Sequence, residues 1–369
     1  MTSYRPRAVF ILPEYDAATG SHFSYIYALL GDAASALDLL VIAERARGAI
    51  PEAAYRIRAQ RFAFGPLRLL ELFVLLLAAR ISGVRHAYVH YSIYGGLAAW
   101  LVFGCTGGRA YYWNCGMPWL YRRNRFAEAA FRFVLRHAIL VTGTPGLAVT
   151  YARIYGLRPD RIRVLPNGID VDLFGAAARD SDIRQNFGIA ANAPVVFFAH
   201  RLSRRKGADL LPDIAARILA RMPRAMVLIA GDGPEREAIR ADMERRGIAS
   251  GARLLGSVPQ RDIAAYFGAA DAFLMPSEEE GFPHVLLEAM AARTPYVATD
   301  VGGVREITPP ALTPYLAPSG NSERIAEALI DLLERSANER RAIGEIEAAW
   351  VRRYDRVIVR DQFIALFTK

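Results

Sequence analysis

Lysine is almost missing from this chain. Its 369 residues include 46 basic side chains, yet only Lys206 and Lys369 are lysines. Arginine serves everywhere else, so an internal lysine marks a place where a compact point charge is used instead of a planar fork. Cysteine is equally scarce. Cys105 and Cys115 make no disulfide framework and have no metal-ligand spacing with histidine, so a reducing, cytoplasmic setting and no metal are expected. There is no Asn-x-Ser/Thr sequon. Long uninterrupted apolar runs are also lacking. Leu72–Ala79 is apolar throughout, but Glu71 and Arg80 bracket it, and it falls well short of the roughly 20 residues a span needs. Ala87–Gly108 carries no charged residue, but His90, Ser92, several tyrosines and paired glycines break it. It reads as a strand (87–91), a loop and a helix (about 95–104). The N-terminal run Ala8–Leu12 is too short for a signal peptide.

Length and a 53% hydrophobic content are enough for two cores. Charge is unevenly spread: residues 1–180 hold 21 arginines against 12 acidic residues, a net +9, whereas residues 181–369 hold 25 of each sign. No nucleic-acid module accompanies the basic half, so nucleic acid is not an expected partner. An anionic membrane surface, on the inner face of the cytoplasmic membrane, suits it better. Between Trp119 and His137, Arg122, Arg125, Arg132 and Arg136 fall on one helical face and Leu120, Ala127, Phe131 and Val134 on another, the pattern of an interfacial helix. The same pattern also describes an ordinary domain helix with arginines in water.

Short β-rich runs alternate with helical patterns along the whole chain. Candidate strands are 8–12, 39–42, 87–91, 109–113, 139–141 and 162–165, then 195–199, 226–230, 253–255, 272–275 and 296–299. Leu211, Ile214 and Ile218, or Ile325, Leu329 and Leu332, show the helical period between them. Alternation of this kind argues for parallel sheets covered on both faces. Two sets of strands predict two Rossmann-like domains, 1–178 and 179–345, with the break between Phe174 and Gln185.

The most informative segment is 275–303. Glu280 and Glu288 flank a tight Gly281-Phe282-Pro283 turn that opens a helix. Pro283 suits the first helical position, and the helix N-terminus is an anion site that needs no metal. Two carboxylates beside it do not grip a phosphate; they accept hydrogen bonds from hydroxyls on either side, as a nucleotide-sugar would offer. Upstream, His200-Arg201-Leu202-Ser203-Arg204-Arg205-Lys206-Gly207 follows the strand 195–199, the place where doubly wound sheets bind ligands. Arg201 and Lys206 offer a fork and a point charge to a diphosphate.

Together with Pro166-Asn167-Gly168-Ile169-Asp170, Gly231-Asp232-Gly233-Pro234 and Gly302-Gly303, these motifs resemble glycosyltransferase family 4, closely over 162–305 and more loosely elsewhere. The resemblance implies an α/β protein of the GT-B fold, two Rossmann-like domains facing across a cleft, with a last helix (346–369) crossing back to the N-terminal domain. It implies a retaining, metal-independent hexose transfer from a UDP- or GDP-sugar, with no other cofactor. The basic, aromatic-rich N-terminal half, rather than the resemblance, points to a glycan or lipid-linked acceptor of cell-envelope polysaccharide, lipopolysaccharide or glycolipid synthesis. Arg201 and Lys206 would hold the diphosphate with the backbone N–H groups of the Gly281-Phe282-Pro283-His284 turn, Phe282 and His284 among them, Pro283 shaping the turn without donating. Glu280 would contact the sugar, Glu288 the ribose, and the loop with Val258 the base.

Two departures stand out. The first loop has one glycine, Gly20, where the family often has a pair, and Asn114 stands where many members have histidine. Asn114 can hydrogen-bond a sugar hydroxyl or carbonyl oxygen but cannot act as a base. This leaves open either the front-face mechanism that the resemblance implies, in which the leaving phosphate takes the acceptor proton, or an altered active site. His22, His90 and His200 have no fixed role at this stage. Asp170-Val171-Asp172 has the form of a metal-binding DxD but sits outside the phosphate loops. A sugar-nucleotide epimerase or hydrolase on the same scaffold, or a non-catalytic partner in glycan assembly, are the alternatives.

Overall fold

The computed structural model describes residues 5–16, 24–48, 53–63, 65–176 and 181–368. It divides into two compact units, one of residues 1–168 and 356–369, the other of residues 169–355.

The first unit is built on seven parallel strands: β1 (Arg7–Leu12), β2 (Asp38–Ala43), β3 (Arg56–Ala59), β4 (His86–His90), β5 (Arg109–Trp113), β6 (Ile139–Thr142) and β7 (Ile162–Val164). Their order is β3-β2-β1-β4-β5-β6-β7. The strands run Ala-Val-Phe-Ile-Leu or Ala-Tyr-Val-His because both faces are covered and alternation has no use there. Helices α1 (Ser24–Ala33), α2 (Gly65–Ile81), α3 (Ile93–Phe103), α4 (Arg125–His137) and α5 (Pro145–Tyr155) connect them. Apolar residues of α2 to α5, such as Leu76, Val102, Val134 and Tyr151, share one core with Val9, Val89 and Leu140 of the sheet.

The second unit has six parallel strands: β8 (Val195–Ala199), β9 (Met226–Ala230), β10 (Ala252–Gly256), β11 (Ala272–Met275), β12 (Tyr296–Thr299) and β13 (Leu316–Ala317), in the order β10-β9-β8-β11-β12-β13. Its helices include α6 (Leu211–Arg221), α7 (His284–Ala291), α8 (Ser322–Glu334) and α9 (Ala337–Val351), and α10 (Arg356–Thr368) closes the described chain. Ile214 and Ile218 of α6 and Leu329 and Leu332 of α8 are fully buried against Phe198, Ile229 and Leu274.

The division falls earlier than the linker expected at 174–185. Ile169 forms a parallel bridge with Asp355, and its N–H donates to the Tyr354 carbonyl at 3.0 Å, so the chain enters and leaves the second unit at one point. Residues 346–351 also stay with that unit, against the expected crossing from 346. On the same helix Ile343 is in the core, and within 346–351 the Trp350 indole donates to the Ile307 carbonyl at 2.6 Å. The returning helix is α10 alone. Phe363 and Phe367 pack on Phe10, Tyr88 and Tyr111, and Tyr111 Oη donates to the Leu366 carbonyl at 2.6 Å.

Candidate donor site at the switch point of the second sheet

Strand order reverses between β8 and β11, so the loops leaving Ala199 and Met275 diverge above the sheet and leave a crevice. Two glycines let these loops approach. Gly207 has φ +66°, and a Cβ there would lie 2.0 Å from the Pro276 carbonyl oxygen; Gly231 has φ +134°, and a Cβ would lie 1.9 Å from the His200 oxygen. A side chain at Gly207 would push the loops after β8 and β11 apart, and one at Gly231 would push the loop after β9 away from the loop after β8.

At the centre is a buried ion pair. Lys206 Nζ donates to Glu280 Oε1 at 2.7 Å, with both residues under a tenth exposed. Ser277 Oγ donates to the same oxygen at 2.8 Å, and His200 Nε2 lies 3.7 Å away. Burial pushes the Glu280 carboxyl up, but Lys206 and His200, with hydrogen bonds from Lys206 and Ser277, outweigh it, so the group is held below its ordinary value. It is a carboxylate at neutral pH, fixed as an acceptor. The backbone fixes it as well: Gly303 N–H donates to the Glu280 carbonyl at 3.1 Å. Next to it Glu279 is raised, by burial first and by Glu280 second, and pairs with Arg205 at 3.0 Å. The Arg201 side chain is exposed and has no acidic partner among the described residues.

Helix α7 begins one residue later than expected. Pro283 is the N-cap, with φ −72° and ψ 104°, and His284 is the first helical residue; no side chain caps the turn. The ψ of Pro283 is extended, which keeps it outside the helix. Phe282 is buried, edge-on to Tyr354 with centroids 5.6 Å apart, and Gly281 is half-buried beside it. Glu288, one turn into α7, is buried and accepts from Gln260 Nε2 at 3.1 Å, with His284 Nδ1 at 3.3 Å. Gln260 belongs to the loop after β10 that also carries half-buried Val258. The structure therefore gathers Lys206, Glu280, the 281–284 turn, Glu288 and the 256–260 loop around the carboxyl ends of β8, β10 and β11.

Asn114 lies in the other unit, at the carboxyl end of β5. It is buried, its N–H donates to the Val141 carbonyl at 2.9 Å, and its Oδ1 accepts from Gly116 N–H at 3.0 Å. His90, on neighbouring β4, stacks on Trp113 at 4.1 Å. Gly20 and His22 lie outside the described residues. The Asp170…Asp172 pair is spent locally: Asp170 Oδ1 caps a short helix by accepting from Leu173 N–H at 3.0 Å, and Asp172 faces Arg352 at 3.3 Å. Ser277 and Thr299 were missed from sequence. Both are fully buried, and Thr299 Oγ1 donates to the Ser277 carbonyl. A serine directly before the Glu run was the available signal.

Two doubly wound units, the second with a charged crevice at its switch point, define the GT-B class of fold. Solved structures agree: Anabaena HepE in complex with UDP superposes with a TM-score of 0.78 over 98% of this chain and 99% of its own, at 18% identity. Sucrose-phosphate synthase from Thermosynechococcus elongatus gives 0.82 over 98% of each, at 20% identity. Residues 180–350 match the family model described as glycosyl transferases group 1. In sequence, the D-inositol 3-phosphate glycosyltransferase of Kribbella flavida is 32% identical over 52% of this chain and 47% of its own length. The chain thus spans about half the length of the relatives it matches.

Proposed function

We propose that this protein is a retaining glycosyltransferase that moves a hexose from a UDP- or GDP-sugar to a glycan or lipid-linked acceptor of the cell envelope, without a metal ion. The observation that carries this reading is the buried Lys206–Glu280 pair at the β8/β11 switch point, beside exposed Arg201 and the uncapped start of α7. Charge develops on the diphosphate as the glycosidic bond breaks, and preorganised donors there stabilise the transition state. Lys206, Arg201 and the backbone N–H groups of Phe282 and His284 are those donors. Glu280, locked as a carboxylate, accepts from hydroxyls of the transferred sugar. Glu288 accepts from the ribose, and the loop with Val258 borders the base. The UDP bound to HepE and the transferase names of the relatives support a nucleotide-sugar donor.

In the first unit Asn114 takes the place where a histidine base would stand, and its side-chain oxygen is already engaged with Gly116. A front-face reaction fits this: the phosphate oxygen freed by the breaking bond accepts the proton of the incoming hydroxyl. Calorimetry with nucleoside-diphosphate hexoses, with and without magnesium, tests the proposal. Binding is expected in chelator. No heat with any donor, or heat only with the metal, overturns it. Isomerised or hydrolysed donor without transfer would instead point to an epimerase or hydrolase.

A further inference from the structure

Two features of the first unit have no part in that chemistry. One is a rim of arginine. Because all seven strands are parallel, their amino ends share one edge of the sheet, opposite the carboxyl ends. Arg7 opens β1, Arg56 opens β3, Arg85 precedes β4, Arg109 opens β5, Arg136 precedes β6 and Arg161 precedes β7. Asp38, at the start of β2, pairs with Arg7 and Arg56. On the other side of the edge Asp160 pairs with Arg158. There a half-open cavity of about 440 Å³ is lined by Trp100, Arg109, Arg136, His137, Arg158 and Arg161, with no carboxylate in its wall. Neighbouring His86 is lowered, by burial first and then by Arg109 and Arg85.

The other feature is α2, which is apolar on both sides. Leu72, Leu76 and Ala79 face the core, while Leu67, Leu70, Val74, Leu77 and Ile81 stand exposed at a 3-4-3-4 spacing. Val74 is 54% and Ile81 78% exposed. A surface helix ordinarily has a polar outer face, and a continuous apolar stripe marks a contact site. Stripe and cavity adjoin: Arg80 Nε donates to Thr106 Oγ1 at 2.8 Å, in the turn whose Gly104 lines the cavity.

We propose that this face of the first unit seats on an anionic lipid surface, with headgroup phosphates in the arginine-lined cavity and the outer stripe of α2 in the acyl boundary. Charge complementarity selects this occupant. Nucleic acid would use the arginines and leave the stripe bare. A second copy would cover the stripe but bring two arginine rims of the same sign together. A bilayer with anionic headgroups uses both features. The proposal gives a location to the membrane contact expected from the basic half, and it stands apart from the transfer reaction.

The test is flotation of the full chain with phosphatidylcholine vesicles, alone or containing phosphatidylglycerol, for the native protein and for Val74→Glu and Arg136→Glu, both exposed positions. Flotation is expected only with phosphatidylglycerol and weakens with salt. Arg136→Glu should lower it about fivefold or more, and Val74→Glu should lower it at unchanged charge complementarity of the rim. Unaltered melting shows that both variants fold, and calorimetric donor binding should be unchanged, so a failure here is separable from failure of the transfer reading. Equal flotation on phosphatidylcholine alone, indifference to both substitutions, or a dimer dissolved by Val74→Glu without vesicle binding would each overturn the proposal.

Discussion

The two units share a doubly wound parallel sheet but use charge in opposite ways. The first holds 23 basic and 10 acidic residues, a net +13, and the second 23 and 27, a net −4. In the second unit arginines are spent on acids across helix surfaces, as in Arg217–Asp213, Arg246–Asp242 and Arg324–Glu327. Exposed pairs of this kind contribute little to stability, but they leave Arg201 conspicuous as a cation without such a partner. In the first unit cations outnumber acids by 13, and six of its arginines lie along one edge of the sheet. Equal numbers of cations thus produce a focused site in one unit and a broad positive field in the other.

The largest expected effect comes from removing the cation at that focus. Lys206→Ala should lower turnover about 10²- to 10³-fold, the scale for losing one preorganised oxyanion donor, and should act on kcat more than on donor KM. It should also destabilise the second unit by about 3–5 kcal/mol, because Glu280 is left buried without its counter-ion. The sign of the pH dependence should reverse there. In the native protein Glu280 is held low, so its contribution is present at neutral pH and is lost as pH falls through its folded value. In the variant burial is opposed only by His200 and the Ser277 hydrogen bond, and stability should fall as pH rises. Lys206→Ala with Glu280→Gln should recover stability and leave activity low. Steady-state kinetics and urea unfolding across pH check both; unchanged kcat with a raised donor KM would remove Lys206 from the leaving-group side.

A comparable loss should appear in the first unit alone when α10 is detached. Phe363 is fully buried and edge-on to Tyr88 at 5.3 Å, so Phe363→Ala should cost about 3–5 kcal/mol. Hydrogen exchange should rise across β1, β4 and β5 while the second unit keeps its protection. Equal loosening of both units would contradict the division at 168/169 and 355/356.

Much of this contrast was legible in the sequence, for a reason that also explains the gaps. Buried parallel strands announce themselves as apolar runs, so β1, β5, β8, β9, β11 and β12 lie where the runs lie, to within a residue. β3 was hidden because Arg-Ile-Arg-Ala at a sheet edge has alternating exposure and looks like a charged loop. The helix read from Trp119 starts at Arg125, since Asn124 accepts from Ala127 N–H at 2.8 Å and caps it there. Trp119 belongs to a separate turn, Pro118–Leu120. Lys206 and Glu280 were readable because rarity and turn chemistry mark them. Ser277 was not, because its role depends on complete burial, which one hydroxyl in a polar run does not advertise.

A smaller effect should come from a carboxyl that is neither paired nor exposed. Glu347, on α9, is buried, and desolvation raises it well above its ordinary value, offset in part by a hydrogen bond from the Tyr296 backbone. A folded value above the unfolded one means that the folded state holds the extra proton. Stability is then full at low pH and falls by about 1.4 kcal/mol per pH unit above the unfolded value. Glu347→Gln should flatten that slope in the second unit and leave the first unit's pH profile unchanged, as read by urea unfolding with local hydrogen exchange.

The smallest effect separates a cap from a metal ligand. Asp170 accepts from Leu173 N–H at 3.0 Å, and Asp172 faces Arg352, so both carboxylates have structural work at the entry to the second unit. Asp170→Ala should cost about 1 kcal/mol, the scale for an N-cap, and Asp170→Asn should cost less because its carbonyl can accept the same bond. Neither should change kcat or make activity depend on added manganese. If Asp170→Asn kept stability but abolished turnover, and manganese at high concentration restored it, the charge focus at Lys206 would not be sufficient to answer the diphosphate. The contrast between the two units would then rest on an ion rather than on arginine and lysine.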